Sequence, residues 1–217
     1  MLQFSLELNP RSEVHIGNYL GAIQPAIKLA NSTAARSLLF IADYHSHFYA
    51  RDVRASINNV AATWIASGLD TEKSVIYKQS IILKFLVQWI LSCFTPKGFM
   101  NRAHAYKAKI DENKEAGKKD LDSGINMGLY NYPVLMTADI LMFNSTHVPV
   151  GEDQLQHLEF ARDIAQKFNN NYGETFVLPE PISQKGALIP GLDGRKMSKS
   201  YNNSIPLFLD SKKLRKK

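Results

Sequence analysis

Apolar positions along the chain change their period several times, and those changes divide it into alternating strands and helices. Residues 1–8 (MLQFSLEL) predict a first strand, and Asn9-Pro10 a turn leading to a helix from about Gly17 to Ala30. Residues 37–43 (SLLFIAD) form a short β-rich run ending in a polar cluster, the pattern of a buried strand. Between Asp52 and Gly68, the residues Val53, Ile57, Val60, Trp64 and Ile65 recur at helical spacing; Asp52 is placed to cap the start and Gly68 the end. Residues 74–80 predict a third strand and residues 83–94 a strongly apolar helix. Residues 109–124 (KIDENKEAGKKDLDSG) are so rich in charge and glycine that they predict a surface loop. A helix over 132–143, a strand over 146–151 and a helix over 154–168 follow, with no internal repeat or low-complexity tract. Such alternation predicts an α/β fold with a mainly parallel sheet and helices on both faces. Ligands on such sheets bind where loops converge at the carboxyl ends of the strands.

Composition narrows the class. With 217 residues, 45% hydrophobic and 21% charged, the chain can bury one good core and a small appendage. Lysine and arginine number 26 against 20 acidic residues, and the net charge of +6 favours polyanionic partners such as nucleotides or RNA. Cys93 is the only cysteine, which excludes an internal disulfide and a cysteine-rich zinc site. The start lacks a basic n-region and carries Glu7 within its apolar run, so no signal peptide is read there. The longest apolar run, FLVQWILSCF, is too short to span a bilayer. A soluble, cytoplasmic protein is expected.

Two stretches carry candidate chemistry. In NPRSEVHIGNYLGA (residues 9–22), His15 can donate to phosphate oxygens, Gly17 lets an adenine ring lie against backbone, and Asn18 stands at a helix start. Helix N-termini offer unpaired N–H groups and the positive end of a dipole, which suit anions. In LDGRKMSKSY (192–201), Lys196 and Lys199 stand three apart in a glycine-flanked loop, with Gly191 and Gly194 expected to give it mobility. Alone, the first stretch equally fits a turn leading into a helix, and the second a solvated basic loop. Together and in this order, HIGN and KMSKS resemble the two signatures of class I aminoacyl-tRNA synthetases. That resemblance implies a Rossmann-like nucleotide-binding fold, with His15, Lys196 and Lys199 as catalytic groups stabilising charge on a reacting triphosphate.

A third stretch, YNYPVLMTADILMFNSTHVPVGEDQLQH (130–157), resembles bacterial tryptophanyl-tRNA synthetases, as do RAHAYK (102–107) and IADYHSH (41–47). The resemblance runs from about Gly17 to Phe208. It implies that Asp139 accepts the indole N–H of tryptophan and that Met136, Ile140, Val148 and Val150 wall the pocket. Tyr132 and Gln154 meet the amino acid's polar end, with His45 nearby. Lys109 is a further catalytic phosphate ligand. ATP falls to Asn9, Pro10, Arg11, Gly17, Asn18, Gly151, Glu152, Asp153 and Ile189, and to Lys196, Met197, Ser198, Lys199 and Ser200 of the loop. Gly151 and Asp153 correspond to ribose contacts and Ile189 to an adenine contact. The implied partners are L-tryptophan, ATP with its Mg²⁺, tRNA(Trp) and a second copy of the chain; no dedicated metal site is implied.

Read on physics alone, Asp139 lies among apolar residues at helical spacing and needs a donor, for which a backbone N–H or Asn144 also qualifies. Trp64 and Trp89 are expected to be packing residues, and His157, Arg162 and Asp163 to lie on a helix surface. Three departures from the family stand out. Residues 7–12 (ELNPRS) replace the usual run before the first signature, and Glu7 and Asn9 are expected to weaken ATP use. Ile81 and Leu83 replace an acidic residue and a proline. The sequence stops soon after the lysine loop. Residues 1–206 are therefore expected to be the catalytic domain and 207–217 the start of a helical tRNA-binding region, without which tRNA charging should be poor. Tyrosyl-tRNA synthetase, and a non-catalytic paralogue binding nucleotide or tryptophan as a regulatory module, are the rival readings.

Overall fold

Strand β2 (Ser37–Ile41) is buried along its whole length, as a near-continuous apolar run in a parallel sheet requires. The computed structural model that contains it describes residues 2–4, 14–34, 36–46, 53–82, 84–151, 154–183, 189–198 and 201–216. Strands β1 (Leu2–Phe4) and β3 (Ser74–Lys78) both run parallel to β2, in the order β3-β2-β1. Leu2 is in register with Ser37, Ser37 with Ser74, and Ile41 with Lys78.

Parallel neighbours need crossovers, and helices supply them. The first comprises α1 (Ile16–Asn18), a π turn (Tyr19–Ile23) and α2 (Gln24–Ser32). Pro25 explains the π turn: proline has no N–H, and its ring would clash with the Gly21 carbonyl of a regular α-helix. The backbone instead widens, and the Gln24 N–H donates to the Tyr19 carbonyl. The second crossover, α3 (Val53–Ala66), ends before Gly68, whose φ of +93° is the left-handed conformation that glycine tolerates. Val60 and Trp64 of α3 pack with Ile23, Ala26, Ile27 and Ala30 against Leu39 and Ile41, as the helical period predicts. Ile65, which the helical spacing places on the same face, is instead exposed.

The described residues divide into two compact bodies. The first takes Met1–Ile82 and Ile182–Lys217, and the second is Leu83–Pro181. The second contains α4 (Lys84–Cys93), α5 (Lys97–Met100), α6 (His104–Glu115), α7 (Met127–Leu141), β4 (His147–Val150) and α8 (Leu155–Tyr172). Strand β5 (Glu180–Ser183) lies beside β4, with the Glu180 N–H donating to the Thr146 carbonyl at 2.9 Å. A short α9 (Ser211–Leu214), capped by Asp210, falls in the basic run near the end of the sequence. Helix α7 is the axis of the second body: residues 133–141 are all buried, and α4 and α8 pack on it.

Four expectations need correction. The charged stretch from Lys109 opens inside α6, where Lys109–Glu112 and Asp111–Lys114 pair one turn apart and support a helix that lacks an apolar face. The loop begins only after Glu115, and the buried Asn113 amide braces it by donating to the carbonyls of Leu121 and Ser123. Helix α7 starts at Met127, not Tyr132, because Asn126 caps it by accepting the Leu129 N–H, leaving Pro133 inside. Trp89 is 71% exposed, since α4 buries the face of Lys84 and Leu91 instead. His157 is buried, with its ring 5.3 Å from that of Tyr132. No helix among the described residues is long and apolar enough to cross a membrane.

Candidate active site

In the first body, the chain enters α1 through a reciprocal cap. The Asn18 N–H donates to His15 Nδ1 at 3.2 Å, and the His15 N–H donates to Asn18 Oδ1 at 3.3 Å. An accepting Nδ1 leaves the proton of the neutral imidazole on Nε2, so the buried His15 ring is fixed as a donor through that atom. The segment around Ile205 holds this turn from the far end of the sequence: the Ile16 N–H donates to the Ile205 carbonyl, and the Leu207 N–H to the Val14 carbonyl.

Residues 189–198 fold into a hairpin. Met197 N–H donates to the Ile189 carbonyl, Gly191 N–H to that of Arg195, and Gly194 N–H to that of Gly191. Gly194 has φ +79°, and Gly191 sits where an added Cβ would collide with the Asn203 amide. Both glycines thus shape the hairpin. Asp193 accepts from Asn203 Nδ2 at 2.6 Å and from Arg195 Nε at 2.8 Å. The Asn203 amide, with Arg195 beside it, holds the Asp193 carboxyl below its ordinary range against a smaller opposing effect of burial. Arg195 also stacks over the Tyr201 ring at 4.4 Å. Lys196 is exposed.

The His15 turn and the hairpin meet. Gly17 N–H points at Met197 Sδ at 3.3 Å, and a Cβ on Gly17 would come within 3.1 Å of the His15 ring and 3.2 Å of Met197 Cβ. Gly17 was expected to admit an adenine ring; it is the Met197 side chain that lies against it here. His15, Gly17, Asn18, Ile189, Lys196, Met197 and Ser198 are therefore gathered in one body. Nearby strand ends are also tied together, as Ser80 N–H donates to the buried Asp43 and Tyr44 N–H to the buried Gln79 side chain.

In the second body, α7 carries Tyr132, Met136, Asp139 and Ile140, and β4 carries Val148 and Val150. Met136, Asp139, Ile140 and Val148 are buried, whereas Tyr132, Val150, Gly151 and Gln154 are half-buried. Tyr132 Oη lies 3.4 Å from His157 Nε2. Asp139 forms a buried ion pair with Lys84 of α4. Sequence reasoning missed Lys84, which falls with Val87 and Leu91 on the face of α4 that is turned inward. Asn144, the other candidate donor, instead accepts the Val177 N–H. Lys109, expected at phosphate, is paired with Glu112 at 2.6 Å, and its ammonium holds that carboxyl below its ordinary range. Asn9, Pro10, Arg11, Glu152, Asp153, Lys199, Ser200, Glu7 and the side chain of His45 lie outside the described residues. Among the described residues no cluster of three or more His, Cys, Asp or Glu is suited to a metal ion.

Over residues 6–217 the chain matches the family model of class I tRNA synthetases (W and Y). The tryptophan–tRNA ligase of Neisseria meningitidis is 54% identical over 93% of this chain and 62% of its own length. That of Pseudomonas aeruginosa is 51% identical over 96% and 48%. The crystal structure of tryptophanyl-tRNA synthetase from Campylobacter jejuni, complexed with ADP and tryptophan, is 42% identical with a TM-score of 0.86 and covers 100% of this chain and 66% of its own. The chain spans about half the length of the curated relatives it matches. The fold is Rossmann-like α/β, as the alternation of strands and helices and the resemblance together implied.

Proposed function

Because the chain belongs to the class I tRNA synthetases (W and Y), we propose that it activates L-tryptophan with ATP and passes the tryptophanyl group to tRNA(Trp). The observation that carries this reading is the meeting of the His15 turn with the 189–198 hairpin across 180 positions of sequence. The contact brings two stretches suited to phosphate side by side, where one ligand can reach both.

In the activation step the tryptophan carboxylate attacks the α-phosphorus of ATP. The bond to the bridging oxygen breaks, and pyrophosphate leaves with the electron pair. The carboxylate is already ionised at neutral pH, so no base is required. Charge grows on the phosphoryl oxygens, and fixed donors there lower the barrier. His15 Nε2–H, Lys196 and Lys199 take this role, and Lys109 serves as a further phosphate ligand. Asn9, Pro10, Arg11, Gly17, Asn18, Gly151, Glu152, Asp153, Ile189, Met197, Ser198 and Ser200 hold the nucleotide. Mg²⁺ travels on the nucleotide phosphates. Asp139, Tyr132, Met136, Ile140, Val148, Val150, Gln154 and His45 hold tryptophan. The cytoplasm, where tRNA is charged, is the working compartment.

Tryptophan-dependent ATP–pyrophosphate exchange on the purified chain tests the reading. Exchange with tryptophan should exceed that with tyrosine or phenylalanine by 10²-fold or more, on the order expected of a site that hydrogen-bonds its substrate. Equal exchange with tyrosine would defeat it. One observation favours a second reading, a regulatory module that binds nucleotide or tryptophan without turnover: Asp139 already has a cationic partner in Lys84. Tryptophan binding without exchange is its signature.

A homodimer is also part of the proposal. Helix α4 exposes Phe85 (53%), Leu86 (67%), Trp89 (71%) and Ile90 (39%), apolar side chains of the kind that mark association. Leu86→Asp with Trp89→Asp should shift sedimentation from dimer to monomer. A wild-type monomer at tens of micromolar would refute this part alone.

A further inference from the structure

Asn203 is 2% exposed and is bonded on both sides of Lys196. Its Oδ1 accepts the Ser198 N–H at 2.7 Å, and its Nδ2 donates to Asp193 Oδ1 at 2.6 Å and to the Lys196 carbonyl at 3.2 Å. Its carbonyl accepts the Leu192 N–H at 3.0 Å. The preceding Asn202 has φ +51°, a left-handed turn that brings the chain back beneath the hairpin. Gly191 is the counterpart of this approach, because a Cβ there would lie 2.8 Å from the Asn203 carbonyl oxygen.

We propose that Asn203 is the positioning residue of the lysine loop, its amide clamping the loop at Asp193 and Ser198 so that Lys196, held between them, leaves it in a fixed direction. The proposal rests on the reading of the loop as a triphosphate grip. Asn203 touches no reacting atom and acts through the backbone it holds. Beyond the backbone bonds of the hairpin, little packing holds this shape: residues 192–196 are exposed, and among the described side chains of residues 192–198 only that of Met197 is buried. Arg195 reinforces the clamp from outside by engaging Asp193 and Tyr201. A buried amide serves this place well, since it accepts from an N–H on one side and donates to a carboxylate on the other. Neither an acid nor an aliphatic residue does both.

Asn203→Ala and Asp193→Ala should each lower kcat of exchange by about 10–10²-fold, the order expected when a reacting group is misplaced by an ångström, with KM for tryptophan unchanged. Asn203→Asp sets two carboxylates face to face and should be the poorest of the single variants. The exchanged pair, Asp193→Asn with Asn203→Asp, restores a donor opposite an acceptor between these two residues but not the bond to the Lys196 carbonyl, and should recover part of the lost rate. A loss confined to thermal stability, or an exchanged pair no better than Asn203→Asp, overturns the proposal. Limited trypsin digestion separates it from failure of the enzymatic reading: cleavage after Arg195 and Lys196 should be faster in Asp193→Ala than in wild type. If wild type shows no exchange but this contrast persists, the activity is wrong and the clamp stands. Normal exchange and unchanged cleavage in both alanine variants would dismiss the clamp alone.

Discussion

Replacing Lys84 with methionine should lower the stability of the chain to urea by about 3–5 kcal/mol. Lys84 and Asp139 are 0% and 1% exposed as side chains, so neither charge is compensated by water. Methionine fills a similar volume and leaves the carboxylate without its cation, in a stretch of α7 that is buried from Pro133 to Leu141. The cost of the desolvated charge then falls on the fold. The double variant Lys84→Met with Asp139→Leu removes both charges and should regain most of the loss, because a buried pair contributes little over an apolar one of the same shape. Under the tryptophan reading a further difference appears. L-tryptophan offers an indole N–H to the carboxylate that has lost its cation, so it should raise the urea midpoint of Lys84→Met more than that of wild type. The double variant should lose that response. If Lys84→Met costs less than about 1 kcal/mol, the other interactions of Asp139 suffice, and the pair is not what holds α4 to α7.

The second large effect is kinetic. Lys196→Ala should reduce kcat for exchange by roughly 10²–10³-fold while KM for ATP moves only a few-fold. Lys196 is exposed, and water and salt screen its attraction for ground-state ATP. The attraction strengthens where charge develops on the departing pyrophosphate, which is why the loss should appear in kcat. Presteady-state measurement of adenylate formation separates the two quantities. A variant altered only in KM would mean that Lys196 binds ATP uniformly and contributes nothing specific to the transition state.

Much of the first body was legible because its elements obey one rule at a time. Ser37–Ile41 is apolar throughout and is buried throughout. Val60 and Trp64 follow the helical period and lie in the core, although Ile65, which fits the same period, is exposed. Legibility failed where two rules compete. Helix α6 has the composition of a loop, and only the one-turn pairing of its charges reveals it. Helix α4 is apolar on most sides, so periodicity could not tell that Leu91 turns inward and Trp89 outward. A lysine at a helix start reads as solvated, and Lys84 becomes a core residue only because an acid on α7 meets it. The site signatures were recognisable as short strings, but that Met197 would seat on Gly17 depends on a contact between distant segments that no local pattern encodes.

The discontinuity of the first body has a consequence for synthesis. The whole of Leu83–Pro181 separates its two pieces, and the contacts that fix the His15 turn, from Ile205 to Ile16 and from Val14 to Leu207, join them across that interval. On a ribosome moving at about 5–20 residues per second, the first piece therefore waits on the order of 5–20 s for its partner. The second body is contiguous and can fold as it emerges. Strands β1–β3 stay open to other chains during that delay, and slow translation of codons 83–181 should raise aggregation of the nascent protein more than slow translation after Ile182.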